Sequence, residues 1–200
     1  VAISVKVAVA YHGGGGHTAR FAGAVHAGAA SVSGCESTLV SVDAIDETGW
    51  KALDGAHAIV FGAPTYMGTA SAVFHRFAES TSMRFMRQTW QDKLAAGFTN
   101  SGDKAGDKAS TLGYFQTLAA QHGMTWVNLA LKSGWNSLRG SEHDTNRFGF
   151  HEGAAAQSLL GSRPDDVHAA DLATAEHLGR RVAEQATIFV AGRAALVPAQ

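Results

Sequence analysis

Apolar residues fall along this chain in two alternating patterns. Short, nearly unbroken apolar runs read as buried strands. Longer stretches with apolar positions three or four apart read as helices. Val5 to Ala10 is the first such run and Leu39 to Val42 the second. Ala58 to Gly62 is the third, apolar throughout as a central parallel strand is. Lys93 to Thr99 and Met124 to Ala130 complete a set of five. Between them, His17 to about Ala30 spaces Phe21, Val25 and Ala29 at helical intervals, and Ser71 to about Arg87 buries Val73 and Phe77. Ser110 to Gln121 is the next helix. The last opens at Asp165-Asp166, two acids suited to a helix N-terminus, and carries an apolar stripe from Leu172 to Phe189.

Strand and helix in strict alternation call for an α/β fold: a doubly wound five-stranded parallel sheet with helices on both faces. No internal repeat or linker divides the sequence, so residues 1–200 read as a single domain. Residues 132–164 are rich in Gly, Asn and Ser and read as an irregular excursion over the ligand end of the sheet. Unstructured segments of that length tend to be functional.

Composition narrows the function. Two hundred residues suffice for one core, and 46% are hydrophobic while 16% are charged. The net charge of −1 comes from scattered residues with no basic block, which sets nucleic-acid binding aside. No apolar run reaches the ~20 residues of a membrane helix. Cys35 is the only cysteine, so no internal disulfide or CxxC motif exists. No charged-then-apolar leader precedes the first strand, and the expectation is a cytoplasmic protein. Of the ten histidines, His12, His26, His57, His75, His168 and His177 lie in separate elements without HExxH spacing or Cys partners, and no metal site is expected.

The chemistry concentrates in three loops. The first strand runs into Tyr11-His12-Gly13-Gly14-Gly15-Gly16-His17-Thr18. Four glycines let backbone N–H groups converge, and the following helix turns its free amides and dipole toward an anion. The same run would serve as a ligand-free tight turn. A Walker loop does not fit, because no Lys precedes Thr18. A dinucleotide fingerprint fails at Thr18, although Asp43 after the second strand keeps that reading open. In strand order 2-1-3-4-5, ligands sit at the switch point between strands one and three. The loop Pro64-Thr65-Tyr66-Met67-Gly68 therefore neighbours the glycine turn, and Tyr66 and Met67 offer it a flat, soft surface for a ring. After the fourth strand, Asn100-Ser101-Gly102 can present amides to a polar ring edge, and Lys104 beside Asp103 is a candidate cation there.

Read together, these stretches resemble the WrbA-type members of the flavodoxin-like superfamily, which are FMN-dependent NAD(P)H:quinone oxidoreductases. The resemblance runs through YHGGGGHTARFAGAVHAGA, DGAHAIVFGAPTYMGTASAVFHRFAEST, KLAAGFTNSGDKAGDKASTLGYFQTLAAQHGM and GSRPDDVHAADLATAEHLGRRVAEQA. It implies a flavodoxin-like fold. Gly13 to Thr18 would hold an FMN phosphate, Thr65 to Gly68 would border the isoalloxazine, and Asn100 to Gly102 would meet its pyrimidine edge. His122 would approach the flavin at a subunit contact. Three departures stand out. Gly13 replaces the family's usual Ser, Gly15 replaces a common aromatic, and the segment between Val42 and Ala58 is too short for an insertion that supports a tetramer.

The resemblance implies FMN as cofactor, NADPH or NADH as co-substrate, and a quinone or similar small molecule as acceptor. It implies a homodimer or homotetramer. Two other readings compete: a flavodoxin-type electron carrier, and a flavin-fold binding protein without enzyme activity. Carriers that dock on basic partners are strongly acidic, and this chain is not.

Overall fold

In β1 (Val5–Tyr11), Val5, Val7 and Val9 point to one side and Ala8 and Ala10 to the other, and all five are buried. A strand covered on both faces belongs at the middle of a sheet. The computed structural model, which describes residues 3–196, places it there. β2 (Cys35–Ser41) pairs with it on one side, in register Val5 to Cys35. β3 (Ala58–Tyr66) pairs on the other, in register Val7 to Ala58. β5 (Leu94–Ser101) pairs next to β3. All three pairings are parallel. A two-residue strand, β4 (Thr69–Ala70), folds back antiparallel on the end of β3.

The fifth position of the sheet differs from the expected Met124 to Ala130. It is shared by two short strands. β6 (Thr125–Trp126) pairs with Leu94 and Ala95, and β7 (Ala154–Gln157) pairs with Phe98 to Ser101. Val127 N–H still donates to the Ala95 carbonyl at 2.7 Å, but Ala130 turns left-handed (φ 47°) and carries the chain out. Leu129 N–H donating to His151 O and the Trp126 indole donating to Glu152 O close the base of the outward loop. The 132–164 stretch is thus an excursion only in part: three of the four β7 residues are buried in the sheet. The order β2-β1-β3-β5-β6, with β7 continuing β6's position, is the expected 2-1-3-4-5 with the small hairpin strand added to the count.

Helices cover both faces. α1 (His17–Ala30) and α6 (Ala169–Leu196) bury Phe21, Val25, Leu178 and Val182 against Val7, Val9 and Val60. These two helices touch backbone to backbone. A β-carbon on Gly28 would fall 2.0 Å from Glu176 O, and one on Gly179 would fall 1.9 Å from Val25 O. α2 (Glu47–Gly55), α3 (Ala72–Ser80) and α5 (Lys108–Gln121) cover the other face with Leu53, Phe74, Phe77 and Phe115 on Ile59 and Phe61.

Several boundaries depart from the periodicity. α2 is an additional helix, capped by the Asp46 carboxylate accepting from Gly49 N–H at 2.8 Å. The helix expected from Ser71 to Arg87 breaks at Thr81, after which α4 (Ser82–Met86) starts. The Thr81 hydroxyl donates back to Ala78 O at 2.6 Å, a local bond that competes with helix continuation. Asp165 and Asp166 do not open the last helix. They lie in a 3-10 turn (Pro164–Asp166), where Asp166 accepts from Arg163 N–H at 2.9 Å, and the chain extends at Val167 before α6 begins.

Candidate functional site

The glycine run folds as a turn between β1 and α1. Gly16 N–H donates to Gly13 O at 3.1 Å, and Gly16 stands at the α1 N-cap with φ 100°, a backbone that L side chains rarely adopt. No side chain caps this helix, whereas α2 and α3 are capped by Asp46 and Ser71. The first-turn amides of α1 are therefore left for an anion. Gly15 has open space above it. Thr18, in that first turn, is buried. His17 is tied sideways: its Nε2 is hydrogen-bonded to Ser162 O and Oγ, both at 3.1 Å. The segment before α6 thereby straps over the loop.

His12 stands apart from the turn it precedes. Its Nδ1 is hydrogen-bonded to Ser71 Oγ at 2.7 Å, and its Nε2 lies 3.2 Å from Asp43 Oδ1. This relay, buried at His12 and Ser71 and exposed at Asp43, joins the ends of β1 and β2 to the cap of α3. Asp43, which kept a dinucleotide reading open, is used here.

Across the β1/β3 switch point, Tyr66 and Thr69 pair around a two-residue turn. Met67 (φ 49°) and Gly68 (φ 85°) are both left-handed, as a type I′ hairpin requires. Met67 has no side-chain bond to offset that conformation, which costs roughly 1–2 kcal/mol, and its side chain is fully exposed. Strain of this kind gathers at functional sites. The Tyr66 hydroxyl lies over Gly14, 3.0 Å from where a β-carbon would stand, with Pro64 beside it. The hairpin and the glycine turn are thus in contact. Thr65 sits deeper. Its hydroxyl is shared with Thr99 Oγ1 (2.7 Å) and Thr111 Oγ1 (2.8 Å), a buried cluster that ties β3 to β5 and α5.

A cleft of about 880 Å³ opens between this hairpin and the loop after β5. Thr65, Met67, Gly68, Ser101 and Gly102 line it, so two of the three expected loops meet here, and the third abuts through Tyr66. Asn100 is buried instead, its Oδ1 accepting from the Ser158 hydroxyl at 2.9 Å. Gln157, Leu159 and Leu160, from the end of β7 and the strap, form the far wall, unforeseen because the split strand was. Leu160 and Met67 both line the cleft and are fully exposed.

Lys104 is exposed, its ammonium 5.4 Å from the Trp135 ring. The buried cation is Lys108, at the start of α5. It has no exposed surface, and its ammonium donates to Asp103 O and to Lys104 O, the latter at 3.2 Å. Burial pushes its pKa down to about 8, while Asp171 and Asp103 pull it up and Arg147 adds to the depression. Beside it, Arg147 donates twice to buried Asp171, at 2.8 and 2.9 Å.

His122 ends α5, which at 14 residues sets it about 20 Å from Lys108. It is buried there, bonded through Nε2 to Thr81 Oγ1 at 2.9 Å and packed on Trp90. Within the chain it is far from the cleft. Among the described residues no three His, Cys, Asp or Glu side chains group to hold a metal ion, and no helix is long and apolar enough to cross a membrane.

Residues 35–135 match the family model described as NADPH-dependent FMN reductase. The chain is 40% identical over 181 residues to the flavodoxin FldP of Pseudomonas aeruginosa, covering 89% of this chain and 95% of that protein. It is 29% identical over 214 residues to an NAD(P)H dehydrogenase (quinone) of Aromatoleum aromaticum, covering 96% and 100%. The crystal structure of a flavodoxin, WrbA-like protein from Agrobacterium tumefaciens superposes with a TM-score of 0.72 at 40% identity, covering 92% of this chain and 98% of that one. The glycine turn at the switch point, the sheet order and these matches agree: the chain belongs to the WrbA-type, FMN-reductase family of flavodoxin-like proteins.

Proposed function

We propose that this protein binds FMN non-covalently and acts as an NAD(P)H-dependent oxidoreductase with a quinone or similar small molecule as acceptor. The observation that carries this reading is the uncapped α1 N-terminus set against the Tyr66–Met67–Gly68 hairpin at the β1/β3 switch point. It offers a site for one phosphate beside a slot for a flat ring. A volume of about 880 Å³ suits a cofactor-sized ligand.

In this reading residues 1–200 work as one domain. The amides of Gly13, Gly14, Gly15 and Gly16 and the first turn of α1, with the Thr18 hydroxyl, hold the phosphate. His12 acts by fixing the end of β1. Pro64, Thr65, Tyr66, Met67 and Gly68 form one wall for the isoalloxazine, and Ser101 and Gly102 present backbone to its pyrimidine edge. Asn100 supports that edge from below. FMN held there would supply two-electron redox chemistry between NAD(P)H and the acceptor. The protein's part is to bind, orient and shield.

The shield is incomplete in one chain, because Met67 and Leu160 rim the cleft fully exposed. A reduced flavin open to water loses control of its electrons. A homodimer or homotetramer that covers this rim is therefore part of the proposal, and light scattering returning a monomer at catalytic concentration refutes it.

Flavodoxin FldP, at 40% identity, gives weight to an electron carrier as second reading. The near-neutral charge disfavours it, since carriers are steered by an acidic field. Calorimetric titration of apoprotein with FMN, FAD and NAD⁺ tests the cofactor, with FMN expected to bind most tightly. Anaerobic NADPH or NADH should then bleach the flavin and benzoquinone restore its colour. Failure of both nucleotides to bleach it, with FMN bound, decides for the carrier.

A further inference from the structure

Lys108 is the one lysine with no exposed surface among the described residues, and the site as read so far gives it no part. A lysine gives up strong hydration on burial, so its place must be fixed by its partners. Those partners are backbone carbonyls, of Asp103 and of Lys104, both in the loop that lines the cleft after β5. A trans peptide points its N–H opposite its C=O. With these two carbonyls turned in to the ammonium, the Lys104 and Ala105 amides turn to the opposite side, away from the ammonium.

The charges behind that loop do not cancel. Arg147 and Asp171 pair bidentately in the interior, and the Phe148 ring centroid is 4.4 Å from the Arg147 guanidinium and 5.6 Å from the Lys108 ammonium. Two buried cations thus face one buried carboxylate. Asp103 and Asp107 add negative charge at the cleft, but both are exposed, where water and salt screen them. In the drier interior the same charge acts several times more strongly.

We infer that Lys108 is a positioning residue for the flavin: its buried ammonium anchors the 103–105 backbone and leaves a net positive charge behind the pyrimidine edge, favouring the anionic reduced ring. This rests on the FMN reading above. Reduction adds two electrons and one proton to neutral oxidised FMN, giving a ring with one negative charge, which the buried cation stabilises more than the neutral ring.

The test compares wild type with Lys108→Met and Lys108→Arg, all loaded with FMN. Dithionite is the reductant, and a reference dye reads the two-electron midpoint potential. Lys108→Met should lower the preference for reduced over oxidised FMN by about tenfold or more, which is about 30 mV for a two-electron couple. Lys108→Arg, which keeps the charge, should recover most of it. A merely structural lysine would shift melting temperature without moving the potential. If Lys108→Met does not fold, the wild-type holoprotein carries the test. Above pH 8 its reduction should take up more than one proton per two electrons, as Lys108 regains its proton against the anionic ring. One proton throughout, or an unchanged potential in a folded Lys108→Met, overturns the inference. Failure of wild-type apoprotein to bind FMN at all overturns the cofactor reading instead.

Discussion

The Gln157 side-chain amide donates to the Gly102 carbonyl at 2.9 Å, joining the last residue of β7 to the loop that follows β5. The Gln157 backbone N–H also donates to Asp171 Oδ2 at 3.1 Å. One residue thus links the cleft loop to the buried ion pair at the start of α6. The second half of the split strand has a purpose in the site: it carries the far wall and ties it down.

Thr18 is the side-chain hydroxyl placed in the uncapped first turn of α1, with Gly13 lacking one. Losing a hydrogen bond to a charged group costs about 1.5–3 kcal/mol. Thr18→Ala should therefore weaken FMN binding about ten- to a hundredfold in calorimetric titration, with the melting temperature of the apoprotein little changed.

Gly16→Ala meets two obstacles. Its φ of 100° is unfavourable for alanine, and the new β-carbon would lie 2.7 Å from Pro164 Cγ. A loss of about 1–3 kcal/mol is expected, read as a lowered urea midpoint. Adding Pro164→Ala should restore only part of it, because that change removes the collision and leaves the dihedral.

Asp171 and Arg147 should not be equivalent. Breaking a buried pair typically costs about 3–5 kcal/mol. After Arg147→Met, Asp171 still feels the Lys108 charge, which is close enough to raise that lysine's pKa. After Asp171→Asn, two buried cations are left without their carboxylate. Denaturant titrations should show Asp171→Asn as the more damaging change, and equal losses would refute the coupling.

Lys108 makes apoprotein stability depend on pH in the alkaline range. Its pKa falls from 10.5 to about 8 on folding, so between those values the unfolded chain holds more protons than the folded one. Stability then rises with pH through that window, by up to about 3 kcal/mol. Lys108→Met should remove the rise, as urea midpoints at pH 7.5 and 10 would show.

His122 acts in the acid range. Burial, and then the nearby Arg84 charge, hold its imidazole below the ordinary value of 6.5. The unfolded chain therefore takes a proton first as pH falls. The stability linked to His122 is complete above pH 6.5 and is lost as pH drops through that value toward the folded pKa. His122→Gln should flatten the fall between pH 7.5 and 5 in thermal melts.

The sequence alone determined the parts that depend on neighbours along the chain. The apolar run at Ala58–Gly62 marks a strand buried on both faces, and four glycines before a helix mark a turn open to an anion; each is a local pattern of side-chain size and polarity. The Asp46 cap was equally local, followed by Gly49 and an amphipathic turn, so α2 was there to be found. Only the tertiary structure decided the rest. The split of the fifth strand depends on Ala154–Gln157 pairing with Phe98–Ser101, more than fifty positions away. Thr81 breaks its helix through its own hydroxyl, while its second bond goes to His122, forty-one positions on. Lys104 and Lys108 sit in the same Gly-Asp-Lys context, and nothing local says which is solvated. The answer comes from Phe148, Arg147 and Asp171, which close over Lys108 from an excursion and a helix that meet it only after folding. Charge burial is a property of the assembled interior, and periodicity carries no information about it.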